Sequence, residues 1–225
     1  MLSLVAALTL TIANAQQGFQ FGVKSVLTSA WFLNEDDEGN AESDWGFGFG
    51  ANYHFTDGGG VGLDFIWGKE TQAIKLSGTE LVHELSFFKV PLLFHFNSPS
   101  GDKVPFLGYV GFEYVKLNGA VLAFGGEDYD DLTFTDPSGN VIFSIPSEDL
   151  FRSTNFGVVL GLGPGWNITK SIQIHAIVRA DYLFNDPEEK DGAFQKLYWG
   201  DSRPKTSLMT LGADFGLKIL IGSGS

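Results

Sequence analysis

From Trp45 to Phe55 the chain alternates without a break. Trp45, Phe47, Phe49, Ala51, Tyr53 and Phe55 are apolar; Gly46, Gly48, Gly50, Asn52 and His54 between them are glycine or polar. A period of two predicts a β-strand with one aromatic face and one small or polar face. A soluble sandwich would carry its bulky face inward and Thr, Lys or Glu outward. Glycine has little strand preference and covers no core. The glycine face therefore predicts a crowded interior, and the aromatic face predicts lipid.

Seven further stretches repeat the pattern. In the first, about 19–33, Phe19, Phe21, Val23, Leu27, Trp31 and Leu33 oppose Gln20, Gly22, Lys24, Thr28 and Ala30. After the strand at 45–55, the third sets Val61, Leu63, Phe65 and Trp67 against Gly62, Asp64 and Gly68. Residues 69–84 are mixed and read as strand extension and loop. The fourth strand, 85–96, sets Phe88, Val90, Leu92, Phe94 and Phe96 against Lys89, Pro91, Leu93 and His95. The fifth, 104–117, is placed with Phe106, Val110, Phe112 and Tyr114 outward and Tyr109, Gly111 and Glu113 inward. Residues 118–152 are acidic with apolar patches such as 141–145, which predicts a hairpin above the main sheet. The sixth, 155–168, opposes Phe156, Val158, Leu160 and Leu162 to Gly157, Val159, Gly161 and Gly163. The seventh opposes Ile172, Ile174, Ala176, Val178, Ala180, Tyr182 and Phe184 to Gln173, His175, Ile177, Arg179 and Asp181. The eighth opposes Met209, Leu211, Ala213, Phe215, Leu217, Ile219 and Ile221 to Thr210, Gly212, Asp214, Gly216 and Lys218.

Long polar connections follow strands one, three, five and seven, and short turns follow two, four and six. That alternation on an even-stranded meander predicts an all-β, eight-stranded, antiparallel, up-and-down transmembrane β-barrel. Trp31, Trp45, Trp67 and Tyr182 fall near the long-loop ends. Tyr53, Phe55, Phe94, Phe96 and Trp166 fall near the short-turn ends, giving two aromatic girdles. The competing fold is a soluble lipocalin-like barrel of reversed polarity. It would put Lys24, Asp64, Lys89, Arg179, Asp181, Asp214 and Lys218 outside, around a greasy pocket too small for so many aromatics.

Composition sharpens this. The 225 residues include 21 Phe and 29 Gly, many large apolar groups beside many absent side chains. There is no cysteine, so neither disulfides nor thiolate metal sites enter. The net charge of −13 repels phosphates and argues against a nucleic-acid partner. Residues 2–12 have the length and apolarity of a signal h-region, and Ala13-Asn14-Ala15 is an A-x-A cleavage site. The expected organisation is a signal peptide at 1–15, a barrel at 16–221 and a flexible tail at 222–225. Both termini are expected in the periplasm and the long loops outside the cell.

The stretch 88–96, FKVPLLFHF, followed by a short turn and VPFLGYVGF at 104–112, resembles the outer-membrane barrel families of Bacteroidota, the PorT-like and OmpX-like "porin family" proteins. Pro91, Leu92, Leu93, Pro105, Phe106 and Gly111 carry the match. Lys89 departs from it, standing where the family usually has a carboxylate, and Ile221 precedes the GSGS tail where many outer-membrane proteins carry a final aromatic. The resemblance implies a Gram-negative outer-membrane protein, non-catalytic, acting in membrane integrity, surface adhesion or as an accessory of a secretion or assembly system. Its expected partners are outer-membrane lipid, lipopolysaccharide and a protein reached through the long loops.

Candidate chemistry is sparse. His54, His83, His95 and His175 show no HExxH or other ligand spacing, and no G-x-S-x-G occurs. No cofactor, metal or catalytic residue is assigned. The glycine runs at 46–50 and 157–165 lack phosphate-loop spacing. The acidic runs at 35–38 and 127–131 offer oxygen ligands without an EF-hand pattern. The inward charges Lys24, Asp64, Lys89, Glu113, Arg179, Asp181, Asp214 and Lys218 remain. An eight-stranded barrel has room only for side chains, and buried charges must pair. They are read as a network that plugs the lumen, with a narrow polar conduit for small solutes or ions as the alternative.

Overall fold

A computed structural model describes residues 18–33, 40–56, 58–76, 79–98, 104–124, 127–135, 141–169, 171–187 and 207–221. The expected signal peptide, the tail, the acidic run at 35–38 and most of the loop before Ser207 lie outside the described residues. Eight long strands form the molecule: β1 (Gly18–Leu33), β2 (Ser43–Thr56), β3 (Gly59–Leu76), β4 (Thr79–Asn97), β5 (Phe106–Phe124), β6 (Thr154–Asn167), β7 (Ile172–Leu183) and β8 (Ser207–Ile221). Each pairs antiparallel with the next, and β8 returns to pair with β1 from Phe19↔Ile221 to Leu33↔Ser207. The sheet is thus a closed barrel with no open edge around its wall.

The alternation decides which face is which. Phe47 is 68% exposed on the outer wall and Val178 69%, whereas Arg179 is 2% and Asp214 0% exposed inside. The reversed-polarity soluble barrel is excluded by that one contrast. The outer wall also carries a plate of contacting rings. Phe47 lies 5.9 Å from Trp67, Phe49 5.2 Å from Phe65, and Trp67 4.8 Å from Phe88, centroid to centroid.

Two boundaries move. The mixed stretch at 69–84 is ladder almost throughout: β3 and β4 stay paired from Lys69↔Ser86 to Leu76↔Thr79. The run Glu70-Thr71-Gln72 hides this, because three successive polar residues erase the period-two signal. The connection after strand three is therefore a projecting hairpin and not a long loop. Strand five runs on past 117 to Phe124, paired there with β4. Beyond it, Glu127–Tyr129 adds a short strand to β5, and Asp131–Thr135 pairs with Val141–Pro146 as a separate two-stranded sheet. A 3-10 turn at Ser147–Leu150 leads back to the barrel.

The glycines of β2 are set by close approach. A Cβ at Gly48 would lie 2.5 Å from the Phe65 carbonyl oxygen and 3.1 Å from Ile66 Cγ1. The neighbouring Phe49 faces outward, where lipid accommodates any apolar side chain. Gly48→Leu is expected to abolish the compact, heat-modifiable band on cold denaturing gels. Phe49→Leu is expected to leave that band in place. The reverse result would mean that the wall is inside out.

Candidate functional site

The lumen is where the sequence concentrates its charges, and the strand period positions each one. Lys24 on β1 and Asp64 on β3 are not neighbours; β2 lies between them. The register sets Lys24 beside Gly48 and Asp64 beside Gly50. With no side chain on that strand, Lys24 Nζ reaches across it to Asp64 Oδ2 at 2.6 Å. The same ammonium meets Asp214 Oδ2 of β8 at 3.2 Å, and the Tyr109 hydroxyl donates to that oxygen at 2.6 Å.

The opposite wall repeats the device. Glu113 on β5 and Arg179 on β7 flank β6, whose facing residues are Gly157 and Gly161. Arg179 Nη2 bonds Glu113 Oε2 at 3.0 Å over that glycine strand, and its Nε bonds Asp181 Oδ1 at 2.8 Å. A side chain at Gly161 would collide with the Tyr109 ring. Lys89 of β4 then spans the lumen. Its Nζ lies 2.6 Å from Glu70 Oε1 and 3.2 Å from Asp181 Oδ2, and Thr210 Oγ1 donates to Glu70 at 3.1 Å.

Of the eight inward charges read from the sequence, seven sit in these two chains of ion pairs. Lys218 is on the inner wall but makes none of the pairs. It lines a chamber of about 10 Å³ with Lys24, Asn52, Asp64, His95, Tyr109 and His175. A second space of about 10 Å³ lies among Val26, Ile66, Phe87, Lys89 and Arg179. Each is about the size of one water. The lumen is filled.

Sequence reasoning missed the part played by four residues. Glu70 fell in the stretch where the period fails, although it shares Asp64's parity and continues that face. Tyr109 and Thr210 were placed inward without a role. The fourth is Phe151, 5% exposed, which enters the barrel mouth from the β5–β6 connection. It joins Val26, Ile66, Leu85, Phe87, Val115, Leu122, Leu183 and Leu208 in an apolar layer above the charges. Its ring meets that of His83 edge-on at 5.6 Å. The segment is tied down on both sides: Ser147 N donates to Asp130 O at 2.8 Å, and Arg152 N to Pro187 O at 2.6 Å. No simple period signals a loop residue that folds back into a lumen.

Among the described residues no group of His, Cys, Asp or Glu could hold a metal ion. Lys69 and Glu84 also form an ion pair, on the outer face above Trp67, where both are partly or fully exposed.

These differences in burial have measurable consequences. Arg179→Met strips Glu113 of its buried cation and is expected to cost about 3–5 kcal/mol. Lys69→Ala should cost less than about 1 kcal/mol, because water already screens that pair. Urea unfolding in lipid vesicles measures both, and equal losses would contradict the paired-lumen account. His83 stands beyond the aromatic girdle, on the projecting part of β4, where burial lowers its imidazole from 6.5 to about 4. Between those values the unfolded chain binds the extra proton, so His83's contribution is intact above about pH 6.5 and is lost as the pH falls towards 4. His83→Leu is expected to lessen the drop in unfolding midpoint between neutral and acid pH; an unaltered drop would refute this.

The model of the family described as "Outer membrane protein beta-barrel domain" matches residues 2–215. Among solved structures, the chain is similar to the outer membrane protein OprG of Pseudomonas aeruginosa, at 13% identity, covering 93% of this chain and 99% of that one with a TM-score of 0.54. It is also similar to Neisserial surface protein A, at 12% identity over 91% and 97% of the two chains, with a TM-score of 0.50. No curated protein matches the sequence. At these identities the structural likeness establishes the fold alone.

Proposed function

The chain belongs to the outer membrane protein β-barrel domain family, and from that premise we propose that it is a closed, non-catalytic barrel of the outer membrane that works at its long-loop face. The observation that carries this reading is the lumen. Seven of the eight inward charges read from the sequence, all but Lys218, are held in ion pairs, and the two spaces found among them are each about 10 Å³. A conduit for solutes needs unfilled width that eight strands do not leave once side chains occupy the centre. The apolar layer around Phe151 closes the mouth a second time.

The work then falls to surfaces. The aromatic wall serves membrane lipid and, in the outer leaflet, lipopolysaccharide. The projecting strands and loops serve adhesion, membrane integrity or a secretion or assembly partner. A PorT-like or OmpX-like origin in Bacteroidota is supported by Pro91, Leu92, Leu93, Pro105, Phe106 and Gly111, which the fold places in the β4–β5 hairpin and the residue that leads into it. Export by a cleaved segment at 1–15 accords with the A-x-A at 13–15.

Planar-bilayer recording of the purified chain tests the reading. No steady unitary openings are expected. Openings whose size shifts on Lys89→Met or Asp214→Asn would overturn it and establish a narrow channel in its place.

A further inference from the structure

At the short-turn end of the lumen, glycines again make room for side chains that lean across them, but there the side chains form no ion pair. Gly22 of β1 pairs with Lys218 of β8, and a Cβ at Gly22 would lie 3.2 Å from Lys218 Cγ. Gly62 of β3 leaves space for both Asn52 and His95. A Cβ there would collide with Asn52 Oδ1 and lie 2.7 Å from His95 Nε2. A Cβ at Gly216 of β8 would lie 2.7 Å from His175 Nε2, and one at Gly60 of β3 would lie 3.0 Å from His54 Cγ. The rings of His54 and His95 are 5.8 Å apart, and His95 is 6.0 Å from Tyr109, centroid to centroid.

These groups share unmet hydrogen bonding. Asn52, His54, His95 and His175 are all buried. Asn52 Oδ1, His54 Nε2, His95 Nε2 and His175 Nδ1 have no hydrogen-bond partner among the described residues. Buried polar atoms without partners are rare and require an explanation. Lys218 adds the inward charge that stands outside the ion pairs. With Asn52, His95 and His175 it lines the chamber of about 10 Å³, which Lys24 and Asp64 also reach.

The lining restricts the guest. Two ammonium groups repel a cation, and among the described residues no group of His, Cys, Asp or Glu could hold a metal ion. A space for about one water is too small for phosphate or a carboxylic acid. The neighbouring carboxylates are engaged: Asp64 Oδ2 accepts from Lys24, and Asp214 Oδ2 accepts from Lys24 and Tyr109. A monatomic anion suits what is left. It accepts from the Lys218 ammonium and from the N–H that every neutral imidazole carries on one ring nitrogen. It also gives a partner to a charge held in the lumen. Lys218 is partly exposed, so its stem can give way to an ion slightly wider than water.

We propose that this chamber is a binding site for one chloride ion, held by Lys218 and by N–H groups of His95, His175 and Asn52. The ion completes the pairing of the lumen charges without opening a path through them. The site is independent of what the long-loop face does.

The test uses the full chain in phosphatidylcholine nanodiscs at neutral pH, with sodium chloride as the probe. The chloride NMR line is expected to broaden saturably in the presence of the barrel and to sharpen when bromide is added. Gluconate at equal ionic strength is too large for the chamber and should not sharpen it. Lys218→Met keeps a stem of similar length and is expected to weaken chloride binding by about tenfold. Lys69→Ala removes an exposed cation on the outer face and should leave the binding unchanged. Crystals of the unaltered protein grown in sodium bromide should show anomalous density between Lys218 and the imidazoles of His95 and His175, a readout that does not depend on assembly of a variant. Broadening that survives Lys218→Met, or competition by gluconate as strong as by bromide, would overturn the proposal. So would bromide density in the crystal without saturable broadening in solution, or a chamber that holds only water in the bromide crystals.

Discussion

The ion pairs that cross over glycine strands are the constraint on which the rest of this barrel depends. In a sheet closed on itself, side chains from next-but-one strands are held apart by the strand between them. Here β2 and β6 remove that obstacle by presenting mainly glycine to the lumen. Lys24 reaches Asp64 over one, and Arg179 reaches Glu113 over the other. The glycines are costly residues for a strand, yet a side chain at Gly50 would collide with the Asp64 carboxylate and one at Gly161 with the Tyr109 ring. The lipid-facing aromatics on the same strands recover the lost preference, since large rings suit a pleated wall. Aromatic outside and glycine inside are thus two halves of one solution.

Taking charges out of water costs more than a single mutual attraction returns unless the geometry is good and every group is met. Branched pairing answers most of that demand, leaving Glu113 Oε1, Arg179 Nη1 and Asp214 Oδ1 without a hydrogen-bond partner among the described residues. Lys24 meets two carboxylates, Lys89 meets two, and Arg179 meets two. Asp181 is shared between Lys89 and Arg179, which links β4, β5 and β7 through one cluster. Such sharing also fixes register. A slip of one residue along β7 would turn Arg179 and Asp181 into lipid and bring Val178 and Ala180 inside. The network therefore acts against misassembled barrels more than it adds to the stability of the correct one.

Most of the wall was legible in the sequence because a two-sided environment writes itself at period two. Phe47 against Gly48, or Val178 against Arg179, needs no tertiary knowledge. Even the ambiguous fifth strand was resolved by putting Phe112 out and Glu113 in. Legibility failed where the two environments cease to differ. Above the girdle both faces of β3 and β4 meet protein or water, so Glu70, Thr71 and Gln72 run together and the ladder there looks like a loop. It failed again at Phe151, whose burial depends on where a connection of more than twenty residues returns. The pairings among inward charges were equally hidden, since parity says which residues share the lumen but not which are within reach.

Strand length then argues where such a barrel can act. β3, β4 and β5 have 18, 19 and 19 residues, whereas β6 and β7 have 14 and 12. At about 3.3 Å per residue the difference lifts one side of the wall by roughly 20 Å. The membrane cannot require this, because a tilted strand crosses it in about 9–11 residues. Nor does the lumen require it, since the ion pairs and the Phe151 layer already close the barrel below. Sheet that neither spans lipid nor seals the interior must be held for what it presents outward. The extended side is also where the short strand at 127–129 and the acidic hairpin are attached, next to β5. Height and charge thus converge on one sector of the rim, on the face at which the protein is proposed to act.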